Sequence, residues 1–226
     1  MANHVLLSLW AVHISDGVLS ARWQAGGFVV AGLLALLGAV RIRDEEIPRV
    51  ALLTAAFFVA GLIGVPMRPM SVHLLLNGLV GIILGRRAGL AIPIGLFLQA
   101  ALTGHGGFLA IGINTCVMAI PALLAWQLFR VLQVTPGLKQ QWFLIGFIVG
   151  SVSVLATVAL NSLVLAWGGQ EDWRALAQLV FIAHLPIVAI EGIVLGFTVG
   201  FLVRVKPEML GLMSPAVSGC PVESIS

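Results

Sequence analysis

Charged side chains are scarce in this chain of 226 residues, which has 12 Lys and Arg and 9 Asp and Glu, or 9% of the total. A soluble globular domain carries about 25%. Because hydrophobic residues reach 60%, too little polar surface remains to cover a compact body of this size in water. The composition therefore excludes an ordinary soluble domain and predicts one all-α, polytopic domain that crosses a lipid bilayer several times.

Cysteine and several catalytic motifs are also missing or rare. Cys116 and Cys220 are far apart and no C-x-x-C pair occurs, which argues against a disulfide framework and a thiolate metal site. No Gly-Lys pair occurs, so the chain has no P-loop and is not expected to bind ATP through one. G-x-S-x-G and H-E-x-x-H are absent too, and nothing in the sequence indicates an enzyme or binding to nucleic acid.

Segments without Asp, Glu, Lys or Arg indicate about seven transmembrane helices. The turn at 104–107 divides an apolar stretch too long for one helix, and the short segment before it is a full span or a re-entrant one. The last segment contains a single acid, Glu191. The predicted spans are 23–40, 50–67, 69–85, 88–103, 108–129, one within 140–170, and 175–203.

The basic residues predict the orientation, because cytoplasmic loops are enriched in Lys and Arg. An N-terminus outside and a C-terminus in the cytoplasm put nine basic residues inside and three outside. We therefore expect an exposed extracytoplasmic arm and loop at 1–22, a transmembrane bundle at 23–206 and a cytoplasmic tail at 207–226. The outer three are Arg22, Arg68 and Arg174, and the inner nine are Arg41, Arg43, Arg49, Arg86, Arg87, Arg130, Lys139, Arg204 and Lys206.

On this topology all five histidines lie in the outer half of the protein. His4 and His13 are in the arm, His73 is near the outer end of the third span, His105 is in an outer turn, and His184 is in the seventh span. Neutral imidazole is the commonest metal ligand and suits nickel, cobalt, copper or zinc. The clustering predicts a metal site that opens outward, although solvated loop histidines are the alternative for His4 and His105.

Other polar residues allow structural explanations. On a continuous third helix His73 shares a face with Asn77, so a core histidine bonded to an amide is the alternative to a ligand. Glu191 is two turns from His184, about 10 Å along the axis, too far for both to bind one ion. Pro186 frees a carbonyl near Glu191 and offers it a partner. We expect His184 and Glu191 to have a structural or coupling role.

Small residues recur at four-residue spacing in three of the predicted spans, a pattern that lets helices approach closely. Packing within the bundle is the expected role, and docking of a partner helix is the alternative for the last series. The glycines concerned are Gly81 and Gly85, Gly146 and Gly150, and Gly192, Gly196 and Gly200.

Five stretches, in order, carry a resemblance to a known family. They read HISDGVL at 13–19, VHLLLNGL at 72–79, QAALTGHGG at 99–107, GINT at 112–115, and HLP followed by IEG within 184–192. Together these motifs resemble the CbiM/NikM family, the substrate-binding membrane subunits of cobalt and nickel energy-coupling-factor (ECF) transporters. The resemblance covers about residues 12–210.

The resemblance implies a seven-helix bundle whose outer N-terminal loop enters the pocket. In the family a terminal amine, the amide and imidazole of a second-position histidine, and a downstream histidine surround the ion in a plane. By motif these histidines are His13 and His73. His105 is a nearby candidate ligand, and Asp16, Asn77 and Asn114 are expected to brace the site.

The N-terminus departs from the family pattern. The family begins Met-His, whereas here Val12 precedes His13 behind eleven further residues. A chain that starts at Val12, through a GTG initiator or cleavage after Ala11, restores the terminal amine as a ligand. Alternatively, removal of Met1 lets the new terminus and His4 form fused chelate rings. We favour the start at Val12 because it keeps His13 in the family geometry.

The resemblance implies uptake of Co²⁺ or Ni²⁺ as transported substrate, for cobalamin biosynthesis or for nickel enzymes. It also implies a pair of ECF ATPase subunits, a transmembrane coupling subunit and, in many members, a small membrane accessory subunit, in the cell inner (plasma) membrane. A self-sufficient, proton-coupled metal permease with Glu191 as the proton carrier is the alternative.

Overall fold

The computed structural model of the protein describes residues 13–67 and 70–212, most of which are α-helical, and includes one short hairpin. The strands β1 (Gly64–Met67) and β2 (Met70–His73) are antiparallel, with Gly64 opposite His73. In the described residues the helices are α1 (Ala21–Ala39), α2 (Ile47–Leu62), α3 (Asn77–Leu84), α4 (Ala88–Thr103), α5 (Ile111–Leu132), α6 (Trp142–Gly168) and α7 (Arg174–Val205).

The helices have the length and surface of a membrane domain. Within the described residues, five helical stretches are long and apolar enough to cross a bilayer: α1, α5, α6, the Ala177–Val205 part of α7, and the run Asn77–Thr103. Large apolar side chains such as Leu33, Leu37 and Phe197 are 55%, 62% and 67% exposed, as expected for a lipid-facing surface. The all-α membrane fold is confirmed, while the seven-span count and the orientation stay predictions.

The third predicted span is not a continuous helix. Residues 69–85 were expected to form it, but α3 begins only at Asn77, after strand β2 and a left-handed residue, Leu76, with φ of 49°. His73 and Asn77 therefore do not share a helical face. The prediction was wrong because hydropathy registers apolar composition and cannot distinguish a buried helix from a short strand and loop.

Glycines set the closest helix contacts. A Cβ atom at Gly146 would lie 2.8 Å from the Cα of Gly196, and one at Gly150 would lie 3.1 Å from the Cα of Gly192. Helices α6 and α7 therefore pack backbone to backbone over two turns, which is the packing role expected for these glycines. A Cβ at Gly200, in contrast, would have no described atom within 4 Å.

A buried arginine joins three helix ends at the side of the bundle where α1 ends. Arg87 lies in the turn between α3 and α4 and donates hydrogen bonds to the carbonyl oxygens of Gly38, Val40 and Arg41 at 2.7 to 2.8 Å. Its guanidinium also pairs with Glu46, just before α2, at 2.8 Å. The hydrogen bond from Arg87 lowers the pKa of Glu46 to about 2, so this carboxylate stays ionised at neutral pH.

Replacing Arg87 should destabilise the bundle. Arg87→Ala removes the donor to the carbonyls at the end of α1 and one of the hydrogen-bond partners of Glu46, so we expect a loss of about 3 kcal/mol in the free energy of unfolding. The neighbouring Arg86 is exposed, and Arg86→Ala should change stability by less than about 0.5 kcal/mol. Thermal unfolding of the purified proteins in detergent compares the two, and equal stability would contradict this role of Arg87.

Candidate metal site

The segment from His13 to Leu19 is packed into the bundle. Ile14, Val18 and Leu19 are at most 3% exposed. The backbone N–H of Ser20 donates to the carbonyl of Gly168, and that of Gln170 donates to Val18, at 3.1 and 3.0 Å. Residues 13–19 therefore do not form an exposed arm but fold back onto the bundle, where their apolar side chains are buried against α5, α6 and α7, as the resemblance implies for the N-terminal loop. Residues 1–12, which include His4 and Val12, lie outside the described residues.

Asn114 on α5 binds this loop as a neighbouring strand would. Its Oδ1 accepts from the backbone N–H of Ile14, and its Nδ2 donates to the carbonyl of Ile14, both at 2.9 Å. One side-chain amide thus satisfies both backbone polar groups of a buried, non-helical residue. The pair determines where the adjacent His13 lies.

Asp16 and two glycines hold the other side of the loop. An oxygen of Asp16 accepts from the backbone N–H of Ala110 at 2.9 Å, just before α5. Gly106 and Gly107 have φ of 77° and 75°, which favours glycine. A Cβ at Gly106 would lie 3.3 Å from the Cβ of His13, and one at Gly107 would overlap the carboxyl group of Asp16. The glycines thus let the turn after α4 close over the loop.

His13 and His73 come together at the centre of the site. Their rings are stacked, with centroids 5.2 Å apart and an interplanar angle of 17°. Both side chains are buried, at 5% and 4% exposure. Neither Nε2 atom has a hydrogen-bond partner among the described residues, whereas Nδ1 of His73 lies 3.4 Å from the carbonyl oxygen of Leu74. If Nδ1 carries the hydrogen and donates it to that carbonyl, the lone pair of the His73 ring is on Nε2.

Burial keeps these two imidazoles uncharged. His73 is 4% exposed, and burial disfavours the charged imidazolium form of its ring. Burial also lowers the pKa of His13 well below 6.5, and the nearby His73 and His105 lower it further. At neutral pH both rings are therefore neutral, which is the form that binds metal ions.

Glu191 on α7 supports the backbone directly after His73. Its carboxylate accepts hydrogen bonds from the backbone N–H groups of Leu75 and Leu76, the second at 3.0 Å. In the described residues these amides, and not the carbonyl freed by Pro186, are its hydrogen-bond partners. A helix would have bonded these amides within itself, so the acid replaces the missing helical bonds in the broken third segment.

Asn77 is held by α6. Its Nδ2 donates to the hydroxyl of Thr157 at 2.6 Å, and its Oδ1 accepts from the hydroxyl of Ser153 at 3.0 Å and from the N–H of Gly78 at 2.9 Å. Ser153 and Thr157 were not among the predicted site residues. Their spacing of about one helical turn, which puts both hydroxyls on one face of a largely apolar helix, was the available signal.

The other two described histidines flank the pair. His105 is exposed, and its Nδ1 lies 2.7 Å from the hydroxyl of Thr103. His184 is 1% exposed, its Nδ1 lies 2.7 Å from the carbonyl oxygen of Val180, and its Nε2 has no described partner. In the described part of the chain, no three His, Cys, Asp or Glu side chains form a group that could hold a metal ion.

The family model of the cobalt uptake substrate-specific transmembrane region, CbiM, matches residues 13–209. The chain belongs to the CbiM family. It is therefore a multi-pass membrane protein of a cobalt and transition-metal uptake family, a transporter rather than an enzyme.

Individual relatives agree with the family. A protein of Haemophilus influenzae, provisionally named a metal transport protein, is 38% identical over 200 residues, which are 88% of this chain and 97% of the relative. A Methanocorpusculum labreanum protein, provisionally named a fused cobalt transport protein CbiMQ, is 26% identical over 88% of this chain and 36% of its own length. A crystal structure of a transition metal transporter has the same fold, with a TM-score of 0.75 and 23% identity over 86% of this chain and 94% of that one.

The role of Glu191 can be tested by substitution. Glu191→Ala leaves the buried N–H groups of Leu75 and Leu76 unpaired, so we expect a loss of about 2 to 4 kcal/mol in the free energy of unfolding. Glu191→Gln keeps a side-chain oxygen that accepts hydrogen bonds and should retain at least half of that stability. Thermal unfolding in detergent measures both, and a Glu191→Ala protein as stable as the parent would contradict the assignment.

Proposed function

We propose that the protein is the high-affinity capture subunit for Co²⁺ or Ni²⁺ in an ATP-driven, ECF-type transporter of the inner (plasma) membrane. The observation that carries the proposal is the stacked pair of His13 and His73, both buried and neutral, with Nε2 atoms that have no partner among the described residues. Two imidazoles prepared in this way suit a borderline divalent ion.

The remaining ligands are proposed to be main-chain nitrogens of the N-terminal arm. The described side chains supply two imidazoles but no group of three or more ligating residues. In the favoured arrangement the amine of Val12 and the amide of His13 complete a planar set of nitrogen ligands. In the alternative, the new terminal amine, two amides and the imidazole of His4 form the planar set. His105, on the turn that closes over the loop, is the candidate for a ligand at the entrance. Such nitrogen ligands favour Ni²⁺ over Co²⁺ in intrinsic affinity.

In the proposed transporter, ATP is hydrolysed by other subunits. This chain has no P-loop, so a pair of ECF ATPase subunits and a transmembrane coupling subunit would drive release of the ion inward. The fused name of the CbiMQ relative supports association with at least one further transporter component. A small membrane accessory subunit completes the proposed complex, which would serve cobalamin biosynthesis or nickel enzymes.

Metal binding by the purified chain tests the capture site. His13→Ala and His73→Ala each remove a proposed ligand, so each should weaken the binding of Co²⁺ and Ni²⁺ by about 100-fold or more. The loss should be at least as large as the loss of about 10- to 100-fold that is typical when a residue supporting a metal ligand is removed. His105→Ala removes the candidate ligand at the entrance and should weaken the affinity by less than about 10-fold. Leu102→Ala, which truncates an exposed side chain in α4, is the control and should leave the affinity unchanged. Titration calorimetry measures these affinities, and tight binding by a protein that lacks both His13 and His73 would defeat the proposal.

Reconstitution separates ATP-driven uptake from proton-coupled transport. We expect liposomes that contain the chain with its ATPase and coupling subunits to accumulate Co²⁺ or Ni²⁺ when ATP is supplied. Liposomes that contain the chain alone should accumulate neither ion, with or without a proton gradient. Uptake by the isolated chain that follows the gradient and is lost in Glu191→Gln would instead support the permease.

A further inference from the structure

His184 is a buried imidazole that the proposed capture site does not use. Its side chain is 1% exposed and its Nδ1 lies 2.7 Å from the carbonyl oxygen of Val180, one turn earlier in α7. Because a carbonyl only accepts, Nδ1 carries the hydrogen and Nε2 carries the lone pair. That Nε2 is buried and has no hydrogen-bond partner among the described residues.

This arrangement is typical of a histidine prepared to bind a metal. Metal-ligating histidines commonly donate the hydrogen of the other ring nitrogen to a carbonyl or carboxylate, which orients the ring and makes the free nitrogen more basic. His73 and His184 both have Nδ1 beside a backbone carbonyl and an unpartnered Nε2. A histidine that served only to pack the core would be expected to pair both of its ring nitrogens.

The fold brings His184 close to His73. Strand β2, which ends at His73, contacts α7. Glu191, two helical turns after His184, binds the amides of Leu75 and Leu76, two and three residues after His73.

We propose that His184 Nε2 and His73 Nε2 form a second metal position, to which the ion moves from the capture site. Its ligand class is a divalent ion that accepts imidazole, Co²⁺ or Ni²⁺. His73 is shared, so the ion exchanges His13 for His184 without losing all of its nitrogen ligands. The inference rests on the proposed function, because the ion must first bind at His13 and His73.

A variant without the capture ligand isolates the second position. We expect full-length His13→Ala to retain weak binding of Ni²⁺ and Co²⁺, and the further change His184→Phe to weaken it by about another 10-fold or more. X-ray absorption spectra should show that bound Ni²⁺ loses one imidazole from its coordination sphere when His184 is replaced. His13→Ala with Leu185→Phe, which changes an exposed neighbour of His184 on α7, is the matched control and should bind as His13→Ala alone does.

Uptake by the assembled transporter provides the second measurement. His184→Phe should leave the equilibrium affinity of the capture site within about 3-fold of the parent, yet slow ATP-driven uptake by about 10-fold or more. If His184→Phe does not fold, His184→Gln, which can still donate to the carbonyl of Val180, is compared in the same way.

The outcomes distinguish the two proposals. Binding by His13→Ala that is indifferent to His184, or uptake at the parental rate in the His184 variant, would overturn the second position alone. A parental chain that binds neither ion would overturn the capture function itself. An imidazole lost from the Ni²⁺ coordination sphere only when His184 is replaced supports the second position.

Discussion

The structure depends on one constraint: backbone that is not helical and lies inside a membrane domain must find its hydrogen bonds within the protein. Two such segments meet at the centre of this chain, the loop at 13–19 and the stretch between His73 and α3. Asn114 supplies both partners of Ile14, and Glu191 supplies the acceptor for Leu75 and Leu76. His13 and His73, the two ligands of the proposed capture site, therefore lie one and two residues before a backbone group that is held by a side chain from a helix.

The use of Glu191 explains how an acid in mid-membrane is tolerated. An isolated carboxylate in an apolar interior is strongly unfavourable, but here it accepts two backbone N–H groups that would otherwise be unpaired. The same hydrogen bonds thus satisfy both the carboxylate of Glu191 and the N–H groups of Leu75 and Leu76. Glu191, the single acid in the seventh predicted span, is thus the side chain that allows the third segment to be non-helical before Asn77 and His73 to lie outside a helix.

The site combines rigid support with unpaired nitrogen atoms. Asn77 is bonded to Ser153 and Thr157, and Asp16 is bonded to the N-terminus of α5, so the groups around the histidines are largely satisfied. In contrast, the Nε2 atoms of His13, His73 and His184 are buried without described partners. Buried polar atoms are usually paired. Of the eight buried side-chain atoms without a partner among the described residues, these three imidazole nitrogens are the ones that suit Co²⁺ or Ni²⁺ as ligands.

Composition alone determined that this chain is a helical membrane protein, because lipid as a solvent demands long apolar segments. The segments without charged residues also predicted the ends of α1, α4 and α5 to within a few residues. The motifs determined the family. Only the tertiary structure decided that 70–76 forms a strand and loop, that His13 stacks on His73, and that Glu191 binds Leu75 and Leu76. The physical reason is distance along the chain: Ile14 and Asn114 are 100 residues apart, and Leu75 and Glu191 are 116 apart. Local hydropathy carries no information on such pairings, which arise when the helices pack.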